Sequence, residues 1–307
     1  MIGLMADAAR QDATRDEEAQ HRLGVLLVIA STLAFSTTGF FTRLIPLDAW
    51  TILFWRGIFS ALFIGVYVVW EHRRETVRVV YVMGWPGWVL MLAYTVAMIA
   101  YIPALKLTSV ANATLIAATA PFATALLAWA WLRERPSMSA LLASAVAFLG
   151  VALMMGGSTG AGSHWGDLLA LVSNFAFAAA MVVIRWHRAV PLVSAAWLAT
   201  LLGSGVSAPF ASPWSATSTD LVYLALFGFF HLTLGLTCFT IGSRLIPAVE
   251  TALLGALDAP LGPLWVWLAF GEVPAAATFY GGAMVLAAVL GQVLAEARLD
   301  AARARSR

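Results

Sequence analysis

Ten apolar runs, each close to the length of a lipid-spanning helix, follow one another along this chain with only short polar connections. A hydrocarbon core of about 30 Å needs about 20 helical residues, and an α-helix survives there because it satisfies its backbone amides internally. The runs fall at 23–42, 49–70, 80–101, 109–132, 138–155, 166–184, 191–210, 220–243, 248–270 and 275–294. Composition agrees: 61% hydrophobic residues, 11% charged residues and 13 tryptophans leave too little polar surface to coat a soluble globule of this size. The expected fold is an all-α integral membrane protein of ten transmembrane helices.

Residues 1–22 are polar and of mixed charge, and are expected to form a disordered tail. The first run, charge-free from Leu23 to Arg43, is too long for a signal-peptide core and reads as a retained span. Orientation follows from lysine and arginine. With the N-terminus cytoplasmic, that side holds 15 of the 18 basic residues, in clusters such as Arg73–Arg74–Arg78, Arg133–Arg135 and Arg185–Arg188. The other side holds Arg43 and Lys106, and Arg56 lies inside a span. Both termini are therefore expected to be cytoplasmic, in a bacterial-type inner membrane. The basic residues are scattered between apolar runs, so a nucleic-acid partner is not expected. The single cysteine, Cys238, lies in an apolar run, which excludes a disulfide framework or a cysteine-rich metal site within one chain. No cofactor or metal site is expected.

The chain repeats itself. At an offset of 142, Gly24, Leu26, Leu27, Ser31, Ala34, Phe35 and Arg43 match Gly166, Leu168, Leu169, Ser173, Ala176, Phe177 and Arg185. At an offset of 138, Lys106, Glu134 and Pro136 match Arg244, Glu272 and Pro274, and Pro121 aligns with Pro260 after a one-residue slip. Each copy holds five spans, an odd number, so the second enters the membrane from the opposite side. Inverted repeats of this kind are a transporter device, since two near-equivalent halves can exchange conformations around one central site. The expected organisation is a cytoplasmic tail at 1–22, a first five-helix repeat at 23–155, an external linker at 156–165, an inverted second repeat at 166–294 and a cytoplasmic tail at 295–307.

Ten spans in two inverted halves, with fourth and ninth spans reading "APFATALLAWAWLRERP" and "APLGPLWVWLAFGEVP", resemble the drug/metabolite transporter superfamily, EamA branch, over residues 22–296. Within that branch the chain looks most like the YddG-type bacterial exporters of aromatic amino acids. The second copy departs from the motif, with Gly271-Glu272-Val273 in place of Arg133-Glu134-Arg135.

Pro121 and Pro260 each remove a backbone donor in mid-span. They read either as hinges that open backbone groups to a ligand or as static kinks. Intramembrane ionisable residues are functional candidates. Asp258 stands near the midplane and could bind a substrate ammonium, carry a proton or pair with Arg56. His231 could donate to substrate or titrate, or be satisfied by a neighbouring carbonyl. Tyr94, Ala97, Met98 and Tyr101 share one face of the third span, and Gly235 and Phe239 stand on its repeat mate. That face suits a flat apolar side chain, or it is packing. Asn174 lies within the sixth span, where gating and helix-to-helix hydrogen bonding are both open. Small residues at spacing four, Ser139, Ala143 and Ala147, then Ala283, Ala287 and Gly291, suggest close packing of the fifth and tenth spans or of two protomers. The oligomeric state is left open.

The chain has no Walker motif, and no GxSxG, HExxH or aspartate-rich pattern, so neither ATP-driven transport nor intramembrane catalysis is indicated. Phosphorylated metabolites would need several intramembrane cations, and only Arg56 is present. The expected function is a non-enzymatic secondary transporter, working in the lipid bilayer on a small-molecule substrate. It would export aromatic or hydrophobic amino acids by alternating access, the direction being implied by the resemblance. A broader drug or metabolite exporter of the same fold is the alternative, and a channel or intramembrane enzyme is the alternative of another class.

Overall fold

The computed structural model describes residues 2–73, 78, 81–108, 110–134, 136–155, 164–187, 192–271, 273 and 275–305, and the regular elements among them are all helical. Nine helical stretches among the described residues are long and apolar enough to cross a membrane, and Met138–Met154 is a shorter apolar tenth. The first span comprises α1 (Ile2–Phe35) and α2 (Thr38–Leu44), and the second and third are α3 (Ala49–His72) and α4 (Gly84–Leu107). The fourth is split into α5 (Val110–Ala117) and α6 (Ala120–Leu132), and the fifth is α7 (Met138–Met154). The second half opens with α8 (His164–Trp186) and α9 (Val193–Ser207). Its third member joins α10 (Ser218–Phe227), a π-helical segment at Gly228–Leu236 and α11 (Thr237–Gly242). It closes with a split ninth span, α12 (Ala248–Gly255) and α13 (Asp258–Phe270), and with α14 (Ala276–Arg305).

Residues 2–22, expected as a disordered tail, continue α1, and 295–305 continue α14. From Met5 to Arg22 the segment contains neither proline nor glycine and is rich in Ala, Arg, Gln and Glu. Such a segment extends a helix already nucleated by its membrane portion. Of the expected linker, residues 156–163 fall outside the described residues, as do the side chains of Lys106, Asn112, Glu272 and Pro274.

Packing obeys the two-fold relation predicted from the repeat. The third span packs on the sixth as the first packs on the eighth, and the third on the seventh as the second on the eighth. The pairs α3–α9 and α7–α14 are their own mates. The likeness extends to helix ends: Arg133 and Gly271, mates at offset 138, both close their spans in the left-handed conformation, at φ 54° and 71°. This explains the sequence departure there, because the geometry common to both copies is the one glycine adopts without strain.

The fifth and tenth spans cross backbone to backbone. A Cβ on Gly150 would stand 2.7 Å from the Gly281 carbonyl oxygen, and one on Gly281 would fall on the Gly150 carbonyl. The face α7 presents is Ala140, Ser144, Ala147, Gly150, Val151 and Met154, all buried. The small-residue pattern caught Ala147 but misassigned α14, where Ala283 and Ala287 are exposed and Gly291 meets open space. The α14 seam is instead Gly281, Val285 and Ala288, at spacings of four and three.

Candidate functional site

Mid-membrane irregularity is concentrated in four spans. The first breaks at Ser36–Thr37, the fourth at Ala118–Thr119, the ninth at Ala256–Leu257, and the eighth carries the π segment around His231. Pro121 and Pro260 stand just past two of these breaks, in the first turns of α6 and α13. They therefore begin new helices rather than kink continuous ones, a position that suits a residue lacking the amide hydrogen.

Each proline-associated break is held by its neighbour in the same way. Asn174 on α8 donates to the Ile116 carbonyl at 3.0 Å and to Thr119 Oγ1 at 2.9 Å. Thr32 on α1 donates to the Leu254 carbonyl at 3.5 Å, and more closely to its own Val28 carbonyl at 2.9 Å. Thr32 and Asn174 are mates at offset 142, Ile116 and Leu254 at offset 138, so the inverted repeat is preserved at the level of single hydrogen bonds. Asn174 is thus placed as the clamp of the fourth-span break. Its replacement by leucine is expected to lower protein stability by about 1–3 kcal/mol, since two hydrogen bonds are lost at a part-buried turn. Thermal unfolding in detergent reads this directly, and an unchanged melting temperature would remove the clamp role.

Along the interior, rings from four spans touch in series. Phe41 stacks on Phe227 at 4.9 Å, Phe227 meets His231 at 5.3 Å, and His231 meets Phe35 at 5.2 Å. Phe35 continues to Phe239 at 6.0 Å, Phe239 to Phe177 at 5.1 Å, and Phe177 to Tyr94 at 6.1 Å. Of the face proposed from sequence, Tyr94 and Phe239 are buried in this series, with the Tyr94 hydroxyl 3.1 Å from Thr240 Oγ1. A Cβ on Gly235 would lie 2.8 Å from the Phe35 ring, so Gly235 lets the eighth span approach the first. Met98 is half-buried and reaches toward Gly203 on α9. Tyr101 differs: it is 37% exposed and feels the charge of Asp258. Among the described residues α4 and α13 are not closely packed on each other, and the partly exposed Tyr101 and the exposed Asp258 border the gap between them.

Asp258 is exposed although it stands at mid-span, at the first position of α13. The sequence left open a pair with Arg56, and among the described residues no ion pair joins the two. Arg56 instead lies with its guanidinium 4.9 Å above the Phe227 ring centroid, near enough for its charge to act on His231. The chain thus holds an intramembrane carboxylate and an intramembrane cation that form no ion pair with each other. A separate apolar cleft of about 390 Å³, lined by Thr37, Phe40, Phe230 and Trp265 among others, contains neither charge.

The two ends of the bundle are not equivalent. At the end carrying Arg185 and Arg244, spans three, four, six, seven, eight and nine share one buried cluster that includes Met83, Ala128, Ile184, Leu192 and Ala248. Glu134 lies 3.7 Å from Arg185, which also donates to the Arg244 carbonyl at 3.3 Å, and His21 meets the buried Glu250 at 3.1 Å. Burial holds the Arg244 guanidinium below its ordinary pKa, opposed by the nearby Tyr94, Glu71 and Tyr67. Here α6 buries Pro121, Ala123, Thr124, Ala125 and Ala128 and packs on α12. Its mate at the other end, α13, buries none of its residues, and among the described residues α5 and α13 make no comparable contact. One end is closed and its symmetry mate is open.

A ten-span bundle with internal inverted symmetry and split helices meeting at mid-membrane is an architecture that membrane transporters use. Residues 22–156 match the family model of the EamA-like transporter family. A solved structure described only as "Crystal structure of protein" is similar with a TM-score of 0.74 at 20% identity, covering 90% of this chain and 98% of that chain, which shows a common fold. A search of curated proteins found no match.

The sequence missed the π segment and the break at Ser36–Thr37. At the latter, hydroxyls of Ser36, Thr37 and Thr38 each bond back to the carbonyl three residues earlier, and Trp265 Nε1 donates to Ser36 Oγ at 2.7 Å. The run Ser36-Thr37-Thr38 was the available signal, since such hydroxyls compete for helix carbonyls. Nothing in "GFFHLTLGL" marks a π turn.

Proposed function

We propose that the chain is a secondary transporter that exports aromatic or hydrophobic amino acids by alternating access, from a bacterial-type inner membrane with both termini cytoplasmic. The observation that carries the alternating-access reading is the asymmetry between mates. The α6–α12 contact closes one end, while its symmetry-related contact, α5–α13, is undone at the other. Exchanging the two arrangements would open the Arg185–Arg244 end and close the Asp258 side, with no new kind of packing required. The clustering of basic residues at the closed end supports its assignment as cytoplasmic, so the state described is outward-open.

Asp258 and Tyr101, bordering the gap, suit the ammonium group and polar atoms of an amino acid, and Pro121 and Pro260 are the hinges about which α6 and α13 swing. The run of rings ending at Phe35 and His231 supports an aromatic side chain over a small one. A broader drug or metabolite exporter would use the same gap. Uptake of labelled tryptophan, phenylalanine and alanine into proteoliposomes separates the readings. Flux of the aromatic pair well above empty liposomes and above alanine is expected. If no amino acid moves faster than in empty liposomes, the amino acid assignment falls.

A further inference from the structure

We propose that Arg56 is a built anion site, and that it takes a carboxylate carried on an aromatic body. The proposal deepens the amino acid reading above and rests on it for the identity of the cargo, while the site itself is argued from Arg56 alone.

Arg56 is 8% exposed, and its Nε is enclosed with no hydrogen-bond partner. No carboxylate among the described residues lies within ion-pair distance of it. The ring of Phe227 lies beneath its guanidinium, a face that stabilises a cation but offsets only part of the cost of taking a guanidinium out of water. The next titratable group is His231, which packs on the same ring and whose Nδ1 is likewise enclosed with no partner. Two donor-bearing groups therefore converge on one ring with no protein anion between them. An intramembrane cation left in this state fits an anion supplied from outside the chain.

The position is fixed by the backbone. A Cβ on Gly228 would stand 2.8 Å from the Arg56 carbonyl oxygen, so the turn carrying Arg56 abuts the start of the π segment that carries His231. The arrangement belongs to one half only. At offset 142 Trp55 aligns with Trp197, which sets Arg56 against Leu198, so the second half has an apolar residue where the first has its charge. The guanidinium fork matches a carboxylate in the two-point geometry that an ammonium cannot reproduce. The rings of Phe227, His231, Phe41 and Phe35 supply an apolar wall beside it.

The test is ligand-dependent melting of the purified protein in detergent, comparing phenylalanine, 3-phenylpropionate and phenethylamine on the wild type, Arg56→Gln and Arg56→Lys. The wild type should be stabilised by both carboxylates, with the midpoint concentration for 3-phenylpropionate about tenfold or more higher in Arg56→Gln, as expected for loss of a charge-assisted contact. Arg56→Lys should fall between them, and it carries the test alone if Arg56→Gln does not fold. Carboxylate stabilisation that is undiminished in either variant, or absent from the wild type, overturns the anion site. Arg56-dependent stabilisation without amino acid flux in proteoliposomes would instead keep the anion site and remove the transport reading.

Discussion

Replacing Asp258 by asparagine is expected to leave the protein folded and to reduce its apparent affinity for aromatic amino acids roughly ten- to a hundredfold. The size follows from what is removed. A hydrogen bond to an ionised partner contributes about 1.5–3 kcal/mol, and about 1.4 kcal/mol is a factor of ten. Folding should be spared because the carboxylate is exposed and no hydrogen bond or ion pair of it is recorded among the described residues. It stands in the first turn of α13, and asparagine keeps the shape of the side chain there. The measurement is concentration-dependent uptake of labelled phenylalanine into proteoliposomes, with melting temperature in detergent as the folding control. Unchanged uptake would mean that the gap between Tyr101 and Asp258 is not where the ammonium sits. A variant that melts far below the wild type would show that the carboxylate acts in folding.

The second large effect is structural. Gly281→Leu is expected to abolish recovery of monodisperse protein. Overpacking a core usually costs about 1–3 kcal/mol because side chains can shift, yet here the first atom added meets backbone. A Cβ at Gly281 would land on the Gly150 carbonyl and 2.9 Å from the Met154 amide nitrogen, so the fifth and tenth spans would have to separate along their length. That separation exposes Ala147, Val151, Val285 and Ala288, all buried in the cluster shared with spans one and nine. The control is Gly291→Leu on the same helix, where a Cβ meets nothing within 4 Å. Size-exclusion profiles of the two variants should differ sharply. Equal recovery would mean the α7–α14 crossing is looser than its geometry.

Much of the architecture was legible because lipid enforces it. The number of spans and the five-plus-five inversion follow from hydropathy and from residues repeated at offsets of 138 and 142. The same offsets tie Asn174 to Thr32 and Ile116 to Leu254, so the shared clamp on the broken helices was already written in the sequence. It went unread because neither residue announces what its side chain will reach. Pro121 and Pro260 pointed to the right spans, while the breaks fell two to four residues before them, leaving each proline in a first turn, where the amide it lacks is needed least.

The site was less legible. Arg56 and Asp258 both stood out as intramembrane charges and invited pairing, but which face of a helix a charge occupies depends on tilt and neighbours that periodicity does not fix. Tyr94 and Tyr101 share a helical face, yet one is buried against Thr240 and the other borders the gap, because the eighth span reaches only part of the third. The π turn around His231 has no compositional mark. By itself, then, the sequence determined that this chain spans the membrane ten times as two opposed halves, since the cost of unpaired backbone in hydrocarbon leaves no other solution. Only the tertiary structure decided which mates are in contact and which are apart, because two halves of near-equal packing energy can be closed at either end, and the choice between them lies in side-chain contacts distant along the chain.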